Sequence, residues 1–563
     1  MKKLIIFIFL FLCLLGYSQI KDTLAVGQIA IIQRPTTTVF DTISRATYIS
    51  SKTGIIKATS GHIYYVSTSD GNNSNNGTST STPWKTCAKV NSVTLVAGDV
   101  VLFKAGDIFE LPLNIGNSGT STNRITISKY GTGVKPIFYG DHPSAVWSAV
   151  SGHSGVYSTT LTGSAATIQN VFEVGGTKYN LRNQGADDLN TWLGKFTASE
   201  WGYNGSTVYI RTTNDGTPPQ MHVVEWTGIK ANNSGNYVTF DNLDVRNSHL
   251  AIMSSYVNCC IIKNNNCQDN FNSGVFYLYS NKGEAMYNTI TRVGETGLYL
   301  LKGGDHYIHN NTISYSIRTI LGCEVPIVSR PECCGIGLQQ GIGNLVEYND
   351  ISYTYGSIID YWVEVNSIVR YNKGFNSRGG AYPDGTGLQL YYNVFDLDGQ
   401  GGGIAGSHEY DPVNSPTTDT GSNYIYNNTI VNPISYALLF TPGGTGVVYK
   451  NNLVVTSSNL VALSEVGSSL TIDYTGYFNT TGSPKGWYWN TTKYTTLSAY
   501  QTASSQESHS FYGDPLFTSA STKNFTLQSG SPAINAGVNV GLTRDILGNP
   551  IVGNPDIGAY EKQ

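Results

Sequence analysis

Charge is scarce in this sequence: only 13% of its 563 residues are Asp, Glu, Lys or Arg, and 34 basic against 38 acidic side chains leave a net charge of −4. There is no basic excess to displace counterions from a phosphate backbone, so nothing points to nucleic acid as a partner. Beyond the first twenty residues no stretch approaches the roughly 18 consecutive apolar residues of a membrane span. Cysteine is sparse too, 8 in all, and its spacing offers no zinc motif. No helical period runs through the chain. What is abundant is glycine, 62 residues, and aromatic side chains, 12%. That composition excludes a disordered, collagenous or coiled-coil protein and requires a buried core.

The first residues depart from this pattern. Lys2-Lys3, the apolar run LIIFIFLFLCLLG and then Tyr17-Ser18-Gln19 have the charged start, apolar middle and small-residue end of a secretory signal peptide, which places 1–18 as a leader and the mature chain outside the cytoplasm. The expected destination is extracellular or periplasmic, with surface association open. Cleavage leaves Cys87, Cys259, Cys260, Cys267, Cys323, Cys333 and Cys334, an odd set in which at least one thiol is free. Cys323 with Cys333 or Cys334 would close a short loop in an oxidising compartment. Cys259, Cys260 and Cys267 read as small apolar fillers of strands.

Self-similarity organises the rest. An Asn followed two places later by an apolar residue recurs in YNTI, HNNTI, YNDI, YNVF and YNNTI. One Asn per unit gives Asn242, Asn265, Asn288, Asn311, Asn349, Asn372, Asn393, Asn428 and Asn452, with steps of 23, 23, 23, 38, 23, 21, 35 and 24. The two long steps are one repeat plus an insertion. Short β-rich runs such as SGVFYLY, TGLYLL and GIGLQQ lie between polar turns. A unit this small cannot bury its own apolar face, whereas units stacked at the roughly 4.8 Å strand spacing make a continuous core. The fold expected is all-β, a parallel β-helix of about 23 residues per coil. Each Asn belongs at a tight turn, its amide stacked on the Asn of the next coil.

With these features the chain resembles the right-handed parallel β-helix proteins of the pectate lyase superfamily. The opening HIYYVSTSDGNNSNNGTSTSTPWKT with AGDVVLFKAGDIF is similar to their entry strand and first coils, and the repeat array covers roughly 237–475. DPLF at 514–517, SPAINAG at 531–537 and PDIGAYE at 555–561 resemble the C-terminal "choice-of-anchor" segment of extracellular β-helix proteins. The resemblance implies a right-handed solenoid that handles extracellular polysaccharide. It does not choose a reaction, because this fold hosts lyases, hydrolases, epimerases and non-catalytic proteins.

Along the chain, 19–60 reads as a leader or linker, 61–145 as cap and first coils, 146–230 as a small β insertion, 231–480 as the repeat array and 481–563 as a segment covering the last coil, whose strand edges would otherwise be open. A monomer is expected.

In a solenoid, residues at one offset from the repeated Asn fall in a column. Offsets of four to seven supply Asp269, Asn272, Arg292, Glu295, Arg318, Tyr355, Arg378, Asp398 and Gln400. The first insertion follows Arg318 and adds Glu324, Arg330 and Glu332. A second corner carries Lys302, Asp305, His306, Glu364, Asp384, His408 and Glu409. Asp360 falls where neighbouring coils are apolar and is either a buried, hydrogen-bonded acid or an exposed one on a shifted strand.

Two mechanisms fit. A polysaccharide lyase needs cations at the uronate carboxylate and a base for its C5 proton, roles open to Arg318, Arg330 and Arg378 and to Lys302, His408 or Tyr355. A glycoside hydrolase needs two carboxyl groups about 5–9.5 Å apart, drawn from Glu295, Glu324, Asp384 and Glu409. The Arg-rich corner tilts the expectation to β-elimination on an anionic polysaccharide, with Ca2+ a cofactor such lyases often use although no ligand set stands out. A non-catalytic carbohydrate-binding surface protein is the rival class.

Overall fold

The computed structural model describes residues 61–563 apart from 141–145, 162–167, 174–178, 220, 226–227, 233, 317–333, 398–400, 407–421, 434–435, 441–445, 458–461, 465–469, 482–485 and 490–491. The leader and linker of 1–60 lie outside these residues.

Three long sheets form the body, and each coil contributes one short strand to each in turn. The coil containing Asn265 runs from Ile261–Lys263 in the first sheet through Asn266–Asn270 in the second to Val275–Asn281 in the third. Strand pairing from coil to coil is parallel and in register, so like positions stack. In the first sheet the inward column is Phe240, Ile262, Ala285, Ile308, Val346, Val369, Leu390 and Ile425, all buried. β-Branched side chains dominate this column because they pack well on a pleated surface.

The turn from the first to the second sheet carries an asparagine ladder. Backbone N–H groups of Asn265, Asn288, Asn311, Asn349, Asn372 and Asn393 donate to Oδ1 of the ladder Asn of the next coil at 3.0–3.1 Å, and Asn428 to Asn452 at 2.9 Å. The residue before each is left-handed, for example Asn264 at φ 55° and Tyr287 at 55°. The ladder satisfies turn amides that solvent cannot reach. Asn242 is not part of it: Asp241 pairs with Lys263, which aligns Asn242 with Asn264 and puts Leu243 in the ladder position. Leu243 N–H still donates to Asn265 Oδ1, 3.0 Å. The first of these coils is one residue shorter than the 23-residue step implied.

Residues 148–225 leave the solenoid after Ile137–Tyr139 and form a five-stranded and a two-stranded sheet with cores around Trp201, Ile210 and Val223 and around Trp192 and Phe196. The C-terminal residues do two things. Helix Leu497–Ser504 tucks Tyr500 beneath the last coils. The remainder turns back along the outside of the solenoid, where Phe525, Val540, Leu542, Ile546, Ala559 and Tyr560 pack on Tyr391, Tyr392, Val394 and Tyr426. Asn451 fastens it, donating to Val538 O and accepting from Val538 N–H at 2.8 and 2.9 Å. The tail therefore covers a long side of the array as well as its end.

Cys260 and Cys267 are buried in the core, while Cys259 lies at a corner. Cys334 is buried; Cys323 and Cys333, the other members of the expected pairing, lie outside the described residues.

Candidate functional site

The two insertions in the array, 317–333 and 407–421, flank strands of the third sheet: one precedes Ile336–Ile342 and the other follows Gly402–Gly406. The outer face of that sheet is the candidate face. Register builds it in two columns. Phe276, Tyr299, Gly337, Asp360 and Tyr382 form the first, and Leu278, Leu301, Gln339 and Trp362 the second.

Asp360 is thus neither shifted nor fully buried. It is half-buried on the outer face, opposite Gly337 on one side and Tyr382 on the other. Phe276 and Tyr299 stack with centroids 5.2 Å apart, and Tyr299 leans over Gly337, where an added Cβ would come within 3.0 Å of its ring. Gly337 leaves a notch between that aromatic platform and the Asp360 carboxylate. Beyond Asp360, the hydroxyls of Tyr382 and Tyr436 lie 3.2 Å apart. Asp384 follows two residues after Tyr382 and is largely buried. Its backbone carbonyl accepts from Glu364 N–H at 3.1 Å.

The residues singled out by column offset line two rims of this face. On the rim where the strands enter, Arg292 is held by a bidentate pair with Asp269, 2.6 and 2.7 Å, and Asn272 donates to Glu295. Tyr355 and Arg378 meet there, with the Arg378 guanidinium 3.7 Å from the ring centroid. On the rim where the strands leave, Lys302 lies over Tyr279 at 5.2 Å, and Tyr279 stacks on exposed Tyr256 at 4.8 Å. Lys302 lies within the strand Leu298–Gly304, seven residues after Glu295, which is roughly 20 Å at the usual rise per residue. The structure therefore brings Tyr355 and Arg378 together and keeps them apart from Lys302. Arg318, Glu324, Arg330, His408 and Glu409 lie outside the described residues, as do Asp398, Gln400 and Glu332.

Two residues of the second corner face inward. His306 Nδ1 accepts from Gly283 N–H at 3.0 Å and its Nε2 donates to Ser280 O at 2.8 Å. Glu364 is fully buried and accepts from Gly341 N–H, Asn344 Nδ2 and Ser367 Oγ at 2.8, 2.5 and 2.6 Å. Burial pushes its carboxyl up to about 7 against those donors. Both serve the interior of the solenoid.

Offset arithmetic missed Tyr299, Gly337 and Tyr436. The two-residue alternation in SGVFYLY and TGLYLL marks Phe276 and Tyr299 as outward, and aligning SIIDYW by its Ile residues would have placed Asp360 beside them. Among the described residues there is no group of three or more His, Cys, Asp or Glu side chains that could hold a metal ion. None of their helices is long and apolar enough to cross a membrane.

Known proteins agree with this architecture. Residues 220–321 match the family model described as "Right handed beta helix region". The chain is 25% identical, over 97% of its length, to lacto-N-biosidase of Bifidobacterium longum subsp. longum, and spans 39% of that relative's length. Among solved structures, a complex of XylC with xylose superposes with a TM-score of 0.60 at 14% identity, covering 89% of this chain and 98% of the other. Pectate lyase Pel9A gives a TM-score of 0.44 at 13% identity, with 90% and 97% covered. The solenoid is a right-handed parallel β-helix.

Proposed function

We propose that this chain is an exported, monomeric carbohydrate-active enzyme that hydrolyses a glycosidic bond of a neutral glycan laid along the outer face of the third sheet. The observation that carries the reading is the floor itself. Asp360 and Asp384 stand on neighbouring coils, offset by one strand spacing and two residues, which is about 8 Å between backbones. Two carboxyl groups about 5–9.5 Å apart are what glycoside hydrolysis requires. We assign the proton-donor role to Asp384 and the nucleophile or base role to Asp360. Phe276, Tyr299 and Trp362 offer flat apolar surface for sugar rings.

Between Phe276 and Tyr382 neither floor column contains a Lys or Arg among the described residues. An eliminase would need a cation there to stabilise the enolate of a uronate. The similarity to a lacto-N-biosidase supports the hydrolase reading, and the export signal at 1–18 gives access to extracellular glycans. The second reading, β-elimination on an anionic polysaccharide, draws on exposed Arg378 at the rim and on Arg318 and Arg330 in the first insertion. Incubation with neutral and uronate-containing glycans, scoring reducing ends and the absorbance of unsaturated uronate together, separates them. New ends without absorbance support hydrolysis; absorbance on the uronates supports elimination.

A further inference from the structure

Around the corner from the candidate active face, the first sheet carries a shallow depression of about 450 Å³ lined by Lys282, Gly283, Glu284, Asp305 and Tyr307. Its walls are fixed by a second layer of side chains. Glu284 Oε1 lies 3.0 Å from His309 Nε2, and Tyr307 stacks on His309 with centroids 4.0 Å apart. Tyr307 donates to Glu347 Oε1 at 2.6 Å, and Glu347 Oε2 accepts from Arg370 Nε at 2.6 Å. The floor is equally held: Gly283 N–H donates to buried His306, whose own N–H donates to Asn344 Oδ1 at 3.0 Å. Gly283 admits no side chain, since a Cβ would come within 2.3 Å of Tyr277.

Lys282 is exposed and has no carboxylate within ion-pair distance among the described residues. Glu284 spends one oxygen on His309, and its other oxygen has no protein partner among them. The lining thus offers the Lys282 ammonium, the open oxygen of Glu284 and the Tyr307 ring in a pre-organised frame, with Asp305 beside them and a formal lining charge of −1. Carboxylate oxygens accept from adjacent hydroxyls, an ammonium donates to a third oxygen, and the net charge repels uronates and sulfated sugars. A volume of this order suits a small ligand, and walls already in place lower the entropy lost on binding.

We propose that this depression is a second, non-catalytic binding site for neutral sugar residues, separate from the face that carries Asp360 and Asp384. The proposal rests on the glycan-processing reading for its ligand class, yet not on the reaction. It is tested by isothermal titration of the full mature protein with lacto-N-biose and with xylotetraose, using trigalacturonate as the anionic control. The comparison is between protein carrying Asp360→Asn alone and protein that also carries Glu284→Gln and Asp305→Asn.

The expected result is binding of at least one neutral probe that falls at least tenfold in affinity, or loses one site, on the Glu284 and Asp305 substitutions, with an unchanged melting temperature and no response to trigalacturonate. In the Asp360 background, turnover does not blur the reading. Unchanged binding in the triple variant, absence of binding by either neutral probe, or preference for trigalacturonate overturns the proposal. Should wild-type protein fail to cleave any glycan while this Glu284-dependent binding persists, the hydrolase reading falls and the second site stands.

Discussion

The guanidinium of Arg378 lies over the ring of Tyr355, 3.7 Å from its centroid, so the most prominent cation of the predicted catalytic corner is part of a rim. Asp360 stands on the neighbouring floor, with Asp384 one coil on. On this division of labour, Arg378→Ala raises KM by less than about tenfold and leaves kcat within a factor of about three, the pattern of lost uniform binding. Steady-state kinetics on a cleaved glycan check it, and a collapse of kcat in Arg378→Ala would return the reacting groups to the rim.

Asp360→Asn and Asp384→Asn should each lower kcat by at least about 10²–10⁴-fold, the usual contribution of a positioned acid or base. Both are near-isosteric, so the melting temperature should move little. If Asp384 is the proton donor, its variant should recover rate on substrates with activated leaving groups, and Asp360→Asn should not. Equal rescue of the two would reverse or cancel the assignment.

Most of the fold was legible in the sequence because the asparagine ladder is nearly periodic and its members cannot be replaced without orphaning buried amides. The one misplaced member, Asn242, shows the limit: a coil one residue short puts a left-handed Asn at the step expected of the ladder. The active face was harder to read. Asp360 has aromatic neighbours in its column, Tyr299 and Tyr382, which imitate a core pattern although they face outward. The course of the tail was illegible too, because nothing in SPAINAG or PDIGAYE tells an end cap from a strap along the side. The strap depends on contacts such as Asn451 with Val538, 87 residues apart.

The ladder makes a stability prediction. Asn349 Nδ2 donates to Ile308 O, Glu347 O and Asn372 Oδ1 at 3.1, 3.1 and 2.9 Å, and its Oδ1 accepts from Asn311. Asn349→Ala strands these partners in a dry interior and should cost about 2–4 kcal/mol in urea unfolding. Asn242→Gly, at a left-handed position outside the ladder, should cost less than about 1 kcal/mol. Similar costs at the two sites would contradict the register described.

Stability should also fall as pH rises. Burial pushes the carboxyls of Glu364, Glu507 and Glu561 from the ordinary 4.5 up to about 7. The folded chain therefore holds more protons than the unfolded one between those values, and the stability this confers is complete below about 4.5 and lost as pH passes 7. His249, pushed down to about 4 by burial, acts in the opposite sense between 4 and 6.5, but it is one group against three. Thermal melts should give a lower midpoint at pH 8 than at pH 5.5, with a smaller gap in Glu364→Gln. An equal or higher midpoint at pH 8 would contradict this reading.

The most direct test of the account is the reaction of the purified mature protein, wild type and Asp360→Asn, with neutral oligosaccharides that include lacto-N-biose-containing and xylose-containing chains. The account predicts new reducing ends with the wild type, none with Asp360→Asn, and no unsaturated product from either. Cleavage that persists in Asp360→Asn, or cleavage confined to uronate chains with the absorbance of an unsaturated product, would contradict it.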